Sequence, residues 1–309
     1  MNFRQPEKTW STPVAAEERR PVPCVLCGGS RFKSSLSCEG FSYVKCAGCG
    51  LVQINPQPLA ADVERRYRQT YGNDYLAYEL KNEAAFLDLQ KRALADAGFD
   101  RIEQELMECT NGPPAVVDIG CATGALLAFL RDRGWRTTGV EISPSAEYAR
   151  NERRLDVRCQ NLEDCRFPPE SFDLALASHL VEHLNHPGAF IRQAWQILRP
   201  GAYLMLTTPN IDGFQARLLG RRWRSAIFDH LYLFSIRTIK AMLETQGFVT
   251  EGVYTWGGLA AGIAPLPLKT FADRTAKALG LGDVMLVKAR KSSIRPGGNA
   301  IDQRSECRG

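Results

Sequence analysis

Between Ala115 and Arg131 the chain sets three elements end to end. Ala115-Val-Val-Asp-Ile119 is a short apolar run, Gly120-Cys-Ala-Thr-Gly124 is a glycine turn, and Ala125-Leu-Leu-Ala-Phe-Leu-Arg131 has the spacing of a buried helix. Strand, glycine turn and helix in that order open a doubly wound α/β sheet, with the ligand crevice at the strand's carboxyl end. The 309 residues suffice for one such core and a small accessory module.

Further strands follow in register with this reading. Thr138-Gly-Val-Glu141 is the second, ending in an acid of the kind that holds ribose hydroxyls; Val157 to Asn161 is the third and Phe172 to Ser178 the fourth. Ala202 to Thr208 is the fifth, reached through a helix, Gly188 to Leu198, that stops at Arg199-Pro-Gly201. Ser143 is placed to cap the helix after strand two, with Pro144 at its first position. Ser235 caps Ile236 to Gln246. Phe248 to Trp256 and Asp283 to Ala289 complete seven strands, with a Pro-containing helical insertion between them.

The turn is not a dinucleotide fingerprint. It reads Gly120-x-Ala122-x-Gly124, and Asp118 precedes it, where an acid would repel a pyrophosphate. A cofactor with a cationic amino-acid end suits that acid better, which favours S-adenosylmethionine over NAD.

A second pattern lies upstream. Cys24-Val-Leu-Cys27-Gly and Cys46-Ala-Gly-Cys49-Gly are two C-x2-C knuckles with eighteen residues between Cys27 and Cys46. Cys24, Cys27, Cys46 and Cys49 at the ends of a β-hairpin would close a tetrahedral four-thiolate zinc site, structural because no position is left for water. An iron site is an alternative; a redox dithiol fits poorly, because no thioredoxin-like pattern surrounds either pair. Cys38 reads as a spare thiol.

Val117-Asp-Ile-Gly-Cys-Ala-Thr-Gly124, Gly139-Val-Glu-Ile-Ser143, Ser171-Phe-Asp-Leu174, Val181-Glu-His183 and Leu198-Arg-Pro-Gly201 together resemble the successive motifs of class I methyltransferases. The nearest group looks like the ubiquinone-biosynthesis O-methyltransferases; with the knuckles in front, the chain is also similar to sugar C-methyltransferases and other natural-product methyltransferases. The resemblance spans about residues 20–290 and implies a seven-stranded Rossmann-like methyltransferase sheet behind an N-terminal zinc ribbon. It implies S-adenosylmethionine contacts from Asp118, Gly120 and Gly124 at the methionine end, from Glu141 at the ribose and from Asn161 and Leu162 at the adenine. Cys121, Ala122, Ile142 and Ser178 are further candidate cofactor contacts. Asn161 stands where the family has an acid.

Methyl transfer needs alignment, exclusion of water and, for a hydroxyl or acidic carbon, a base. Only four histidines exist, and His179, His183 and His186 follow strand four. His183 matches the histidine of the family's Glu-His pair and is the preferred base; His179 and Glu182 stand beside it. His230, in Phe228-Asp-His-Leu-Tyr-Leu-Phe-Ser235, is the second base candidate, on a stretch that lines the acceptor side in the family. The resemblance also implies a divalent metal in some relatives, held by an acid at the place of His179 together with the Glu-His pair. The plainer alternatives are that Glu182 and His183 brace the next helix and that His230 is a buried histidine among aromatics. His186, before Pro187, marks a helix start.

The remaining expectations are coarser. Residues 1–20 read as a flexible start, 21–57 as the ribbon, 58–110 as a helical lid or linker, 111–291 as the core and 292–309 as a disordered tail. Tyr71-Gly-Asn-Asp-Tyr75 breaks the helical pattern, as a lid or a plain turn. Phe214 to Arg224 mixes Leu218, Leu219 and Trp223 with four arginines, a surface for lipid or phosphate or else a solvated helix. No apolar run spans a membrane and no signal peptide is visible, so the expected location is cytoplasmic. The expected partner is a small-molecule acceptor. A net charge of +5 is too mild to argue for nucleic acid, and Arg31, Lys33 and Lys45 are the only basic residues between Cys24 and Cys49. An RNA methyltransferase and a non-catalytic scaffold remain the competing readings.

Overall fold

The structure is a computed structural model and describes residues 17–70, 72–110, 112–258 and 275–292. Most of the expected N-terminal and C-terminal tails, Tyr71 and most of the expected helical insertion lie outside the described residues.

Strands β1 (Arg19–Arg20), β2 (Phe32–Cys38), β3 (Phe41–Cys46), β4 (Val52–Ile54) and β5 (Gln57–Pro58) form the N-terminal module. Residues 19–20, placed by sequence in the flexible start, pair antiparallel with β5. The β2–β3 hairpin carries the knuckles at its open end, because Phe32 lies opposite Cys46. Gly28 and Gly50, just past the two knuckles, have φ of +71° and +81°, a left-handed turn that glycine adopts without a Cβ penalty.

Helices α1 (Ala60–Arg65), α2 (Gly72–Asp96) and α3 (Phe99–Cys109) follow, with one π-helical segment, Arg66–Thr70, after α1. The expected break at 71–75 is absent from Gly72 onward: α2 runs through it, so the irregularity sits in the π turn just before.

The core comprises β6 (Ala115–Ile119), α4 (Ala125–Asp132), β7 (Arg136–Val140), α5 (Ser145–Asn151), β8 (Val157–Arg158), β9 (Phe172–Ser178), α6 (Pro187–Ile197) and β10 (Leu198–Pro209). Then come α7 (Phe214–Leu219), β11 (Tyr232–Leu233), α8 (Ile236–Thr245), β12 (Phe248–Trp256) and β13 (Val284–Lys291). The seven-stranded sheet has the order β12-β13-β10-β9-β6-β7-β8. Its first five strands in sequence pair in parallel, while β13 runs antiparallel to both neighbours. The strand order reverses between β6 and β9, which puts the ligand crevice at their carboxyl ends.

Two local differences have simple causes. Helix α6 stops at Ile197, close to the expected end, but Arg199-Pro-Gly201 is not a turn before β10; it forms an irregularity inside the strand, with the register to β9 shifting between Leu198 and Tyr203. Helix α5 begins at Ser145, one residue late, and the Ser143 hydroxyl accepts the Ser145 N–H at 3.3 Å. Ser235 caps α8 as expected, in a reciprocal box with Thr238.

The module at the N-terminus is not a separate bead. Strand β11 of the core chain region joins its sheet, in the order β11-β4-β3-β2. One hydrophobic cluster runs from Tyr43, Leu51 and Ile54 through Phe228, Tyr232 and Phe234 to the sheet residues Leu204 and Leu206. The burial of these large side chains, worth roughly 1.5–3 kcal/mol each, binds the two parts together.

Candidate active site

The crevice begins at the glycine turn. Gly120, Ala122 and Gly124 all have positive φ, of 77°, 50° and 75°. A Cβ on Gly124 would also come within 2.5 Å of a Leu155 methyl and 3.2 Å of the Ala149 methyl, so strand and helix pack closely only with glycine there. Cys121 turns its sulfur inward against Gly139 and Leu127, so it faces the core and offers the crevice only its backbone.

Glu141 lies across the turn. Its carboxylate accepts the Ala122 N–H at 3.0 Å and the Ser143 N–H at 2.8 Å, which fixes the acid beside both banks of the crevice. Ile142 follows it, half-buried. Asp118 is buried, and burial, with Glu141 nearby, pushes its carboxyl up to about 7. A cavity of about 30 Å³ lies next to Asp118, lined also by Gln90, Ser178 and Thr207. Asn161 precedes a 3₁₀ turn, Leu162–Cys165, and Leu162 is buried.

Sequence reading missed the acids that α2 adds. Glu79 accepts the Ser145 hydroxyl at 2.6 Å, and Glu83 accepts the Thr123 hydroxyl at 2.7 Å while pairing with Arg153 at 2.5 Å. Burial, with Glu141 and Glu83 nearby, pushes Glu79 up to about 8. Tyr75, one turn earlier, is hydrogen-bonded to Glu79. Helix α2 thus touches both the glycine turn and the first residue of α5. Glutamates four apart on an amphipathic helix look like a solvated face in sequence, and nothing local marks them otherwise.

The second group of residues gathers beyond β9. His179 has φ +52° and is 48% exposed; Glu182, on the 3₁₀ turn Val181–His183, is fully buried. Glu182 accepts from His179 Nδ1 at 3.1 Å and from the Thr208 hydroxyl at 3.0 Å. Burial opposes its ionisation, yet the His179 hydrogen bond and the fields of His179, His183 and His230 hold it down at about 2.

His183 Nδ1 lies 2.9 Å from the Asp229 carbonyl oxygen and 2.8 Å from the Tyr67 hydroxyl. A carbonyl can only accept, so Nδ1 carries a proton. His230 has the same arrangement, with Nδ1 2.8 Å from the Ser225 carbonyl. Burial, and His183 beside it, push His230 down to about 3. The ligand atoms of Glu182, His183 and His230 all lie within 4.8 Å of one another. Tyr67 comes from the π turn and carried no signal in sequence beyond its place in a helical pattern. His186 precedes Pro187 of α6 without a side-chain cap.

The four cysteines also converge, their sulfurs within 4.8 Å of one another. Cys24 and Cys49 are 3.4 Å apart and Cys27 and Cys46 3.5 Å. Burial pushes Cys24 and Cys49 up, whereas for Cys46 the backbone N–H groups of Cys49 and Gly48 and the thiols of Cys27 and Cys24 outweigh burial and pull it down to about 6. Among the described residues no helix is long and apolar enough to cross a membrane.

The sequence matches the methyltransferase domain family over residues 87–252. It is 29% identical over 150 residues to a Mycolicibacterium smegmatis protein named as a probable S-adenosylmethionine-dependent methyltransferase, covering 47% of this chain and 57% of that one. It is 29% identical over 140 residues to the ubiquinone biosynthesis O-methyltransferase of Bradyrhizobium sp. (strain ORS 278), covering 43% and 51%. The chain thus spans about half the length of the curated relatives it matches. A crystal structure of a SAM-dependent methyltransferase from Archaeoglobus fulgidus superposes with a TM-score of 0.49 at 18% identity, over 69% of this chain and 99% of that one.

Proposed function

The chain belongs to the methyltransferase domain family, and on that premise we propose that it moves a methyl group from S-adenosylmethionine to a small-molecule hydroxyl or acidic carbon. The observation that carries the reading is the pairing of two imidazoles, each with its Nδ1 proton held by a backbone carbonyl, with His183 just past β9, the strand that pairs with the Asp118 strand.

The residues fit the cofactor by charge and by backbone. Positive φ at Gly120, Ala122 and Gly124 folds the backbone into a tight turn that glycine adopts at two of the three positions without a Cβ penalty. The acids Asp118, Glu141 and Glu79 suit a cation, and Glu141 is held for a ribose diol. When bound, S-adenosylmethionine supplies a methyl on a sulfonium carbon, open to in-line displacement. His183 Nε2 takes the proton of the acceptor, and Glu182, held ionised, stabilises the imidazolium that results. His230, neutral and buried, lines the same pocket and keeps water out.

A second reading of that pocket rests on the convergence of Glu182, His183 and His230. Two imidazole Nε2 lone pairs and a carboxylate suit a divalent cation, and backbone carbonyls already orient both rings. His179 would then serve as an orienting partner of Glu182 instead of a ligand.

The four-cysteine cluster fits a structural zinc ion. Each knuckle aims two backbone N–H groups at its first sulfur, those of Cys27 and Leu26 at Cys24 and those of Cys49 and Gly48 at Cys46, which stabilises thiolates. The cluster has no free position, so its contribution is to folding.

The test is transfer of labelled methyl from S-adenosylmethionine to a panel of phenols, sugar nucleotides and bulk RNA, with wild type, His183→Ala and His230→Ala. The expected outcome is label in a small molecule, reduced roughly 10²–10⁴-fold by His183→Ala. Label in RNA alone would transfer the assignment to a nucleic-acid enzyme.

A further inference from the structure

The segment that carries His230 is moulded on the ribbon. Tyr43, fully buried on β3, places its hydroxyl 2.7 Å from the Ile227 carbonyl and 2.8 Å from the His230 carbonyl. Cys46, a member of the four-cysteine cluster, ends the same strand. Ile227 O also accepts the His230 N–H at 3.1 Å in a tight turn, so the tyrosine closes the turn on which the histidine sits. Next along, the Ile54 N–H bonds the Leu231 carbonyl at 2.9 Å, and β4 pairs with β11 from Val52 to Gln53. Phe41 meets Phe228 edge to face at 5.5 Å.

The opposite side of this segment faces the acceptor pocket. The Asp229 carbonyl accepts a hydrogen bond from His183 Nδ1, and the Asp229 carboxylate pairs with buried Arg66 at 2.8 Å. A backbone shift at 229–230 therefore moves both imidazoles together. The ribbon hairpin and these histidines are linked by directional bonds, and the four cysteines converge at the open end of that hairpin, where Phe32 lies opposite Cys46 on β3.

We propose that Tyr43 is a positioning residue for His230, and that through it metal occupancy of the four-cysteine cluster sets the orientation of His183 and His230. The proposal rests on the reading of the cluster as a zinc site and of the histidine pair as the acceptor pocket. Loss of the metal frees the knuckles, β3 loses its anchor at Cys46, and the Tyr43 hydroxyl no longer pins the turn.

The test is imidazole NMR of the full chain labelled at histidine Cε1, where only four signals arise. Single His→Gln variants assign them. In Tyr43→Phe the His230 and His183 signals should shift while His186 stays, with circular dichroism unchanged; Lys33→Ala, on the exposed face of β2, should move none. Withdrawing zinc with a chelator, its release measured colorimetrically at one ion per chain, should shift the same two signals, and adding zinc back should restore them; release of a second ion would place metal on Glu182, His183 and His230 themselves and overturn the cluster as the cause. Unmoved His230 and His183 signals in folded Tyr43→Phe, or after verified zinc release, would overturn the proposal. If Tyr43→Phe does not fold, the zinc arm decides alone. A chain that binds no zinc refutes the metal part and the ribbon reading, while the Tyr43→Phe arm still reads the positioning part.

Discussion

The rings of His183 and His230 meet edge to face with centroids 4.7 Å apart, and each donates its Nδ1 proton to a backbone carbonyl. Two imidazoles so close cannot both be charged in a buried site. His230 is the one pushed down, to about 3. Its folded form binds fewer protons than the unfolded chain between pH 3 and about 6.5, so this group adds stability as pH rises through that window. In an NMR titration His230 should stay flat from about pH 5 to 8. A midpoint near 6.5 for that signal would contradict the buried placement.

Glu182 has the opposite habit. It is held at about 2, below its unfolded value, so its contribution is complete above about pH 4.5 and is lost as pH falls toward 2. Glu182→Ala leaves the Thr208 hydroxyl and His179 without their acceptor, and should cost roughly 3 kcal/mol in urea unfolding at pH 7. Glu182→Gln, which keeps an acceptor oxygen, should cost less. Equal and negligible losses would show that the carboxylate is solvated instead.

Asp118 and Glu79 are raised, to about 7 and about 8. The folded chain then holds more protons than the unfolded one from about pH 4.5 to 8, so these two groups make the empty protein less stable as pH climbs through that range. A cationic ligand relieves the repulsion. S-adenosylmethionine should therefore bind more tightly at pH 8.5 than at pH 6, and S-adenosylhomocysteine, whose sulfur is neutral, should gain less. Calorimetry at the two pH values checks both halves; identical pH dependence for the two ligands would contradict the charge argument.

Arg66 is 2% exposed, paired with Asp229 and stacked 4.9 Å from the Phe228 ring centroid. Arg66→Ala strands a buried carboxylate and should cost roughly 3–5 kcal/mol. Arg92, paired with Asp88 on an open helix face, is the control, and its alanine variant should fall within about 0.5 kcal/mol of wild type. Equal effects in chemical denaturation would mean that the Arg66 pair is open to water.

The order of elements was readable because the sheet alternates short apolar runs with helical spacing, and β6, β9 and β12 fall on the expected residues. The C-x2-C spacing likewise pointed to sulfurs that meet. What could not be read depends on long-range contact. Glu79 and Glu83 belong to a helix whose period says nothing about which face lies on the glycine turn. Tyr67 is one aromatic among several until the π turn aims it at His183. The ribbon's union with the core through β11, a strand of two residues, is too short for any periodicity to show. Arg199-Pro-Gly201 carried the chemistry of a stop, and only pairing with β9 turns it into an irregular strand.

The most direct measurement is calorimetric titration of S-adenosylhomocysteine into zinc-loaded protein, beside Glu141→Ala. Glu141 anchors the crevice through the Ala122 and Ser143 N–H groups, and a charged acceptor for two hydroxyls is worth about 2–3 kcal/mol or more. The predicted result is binding by wild type and at least about 30-fold weaker binding by the variant. Wild type that does not bind while folded, or a variant that binds equally well, would contradict the account.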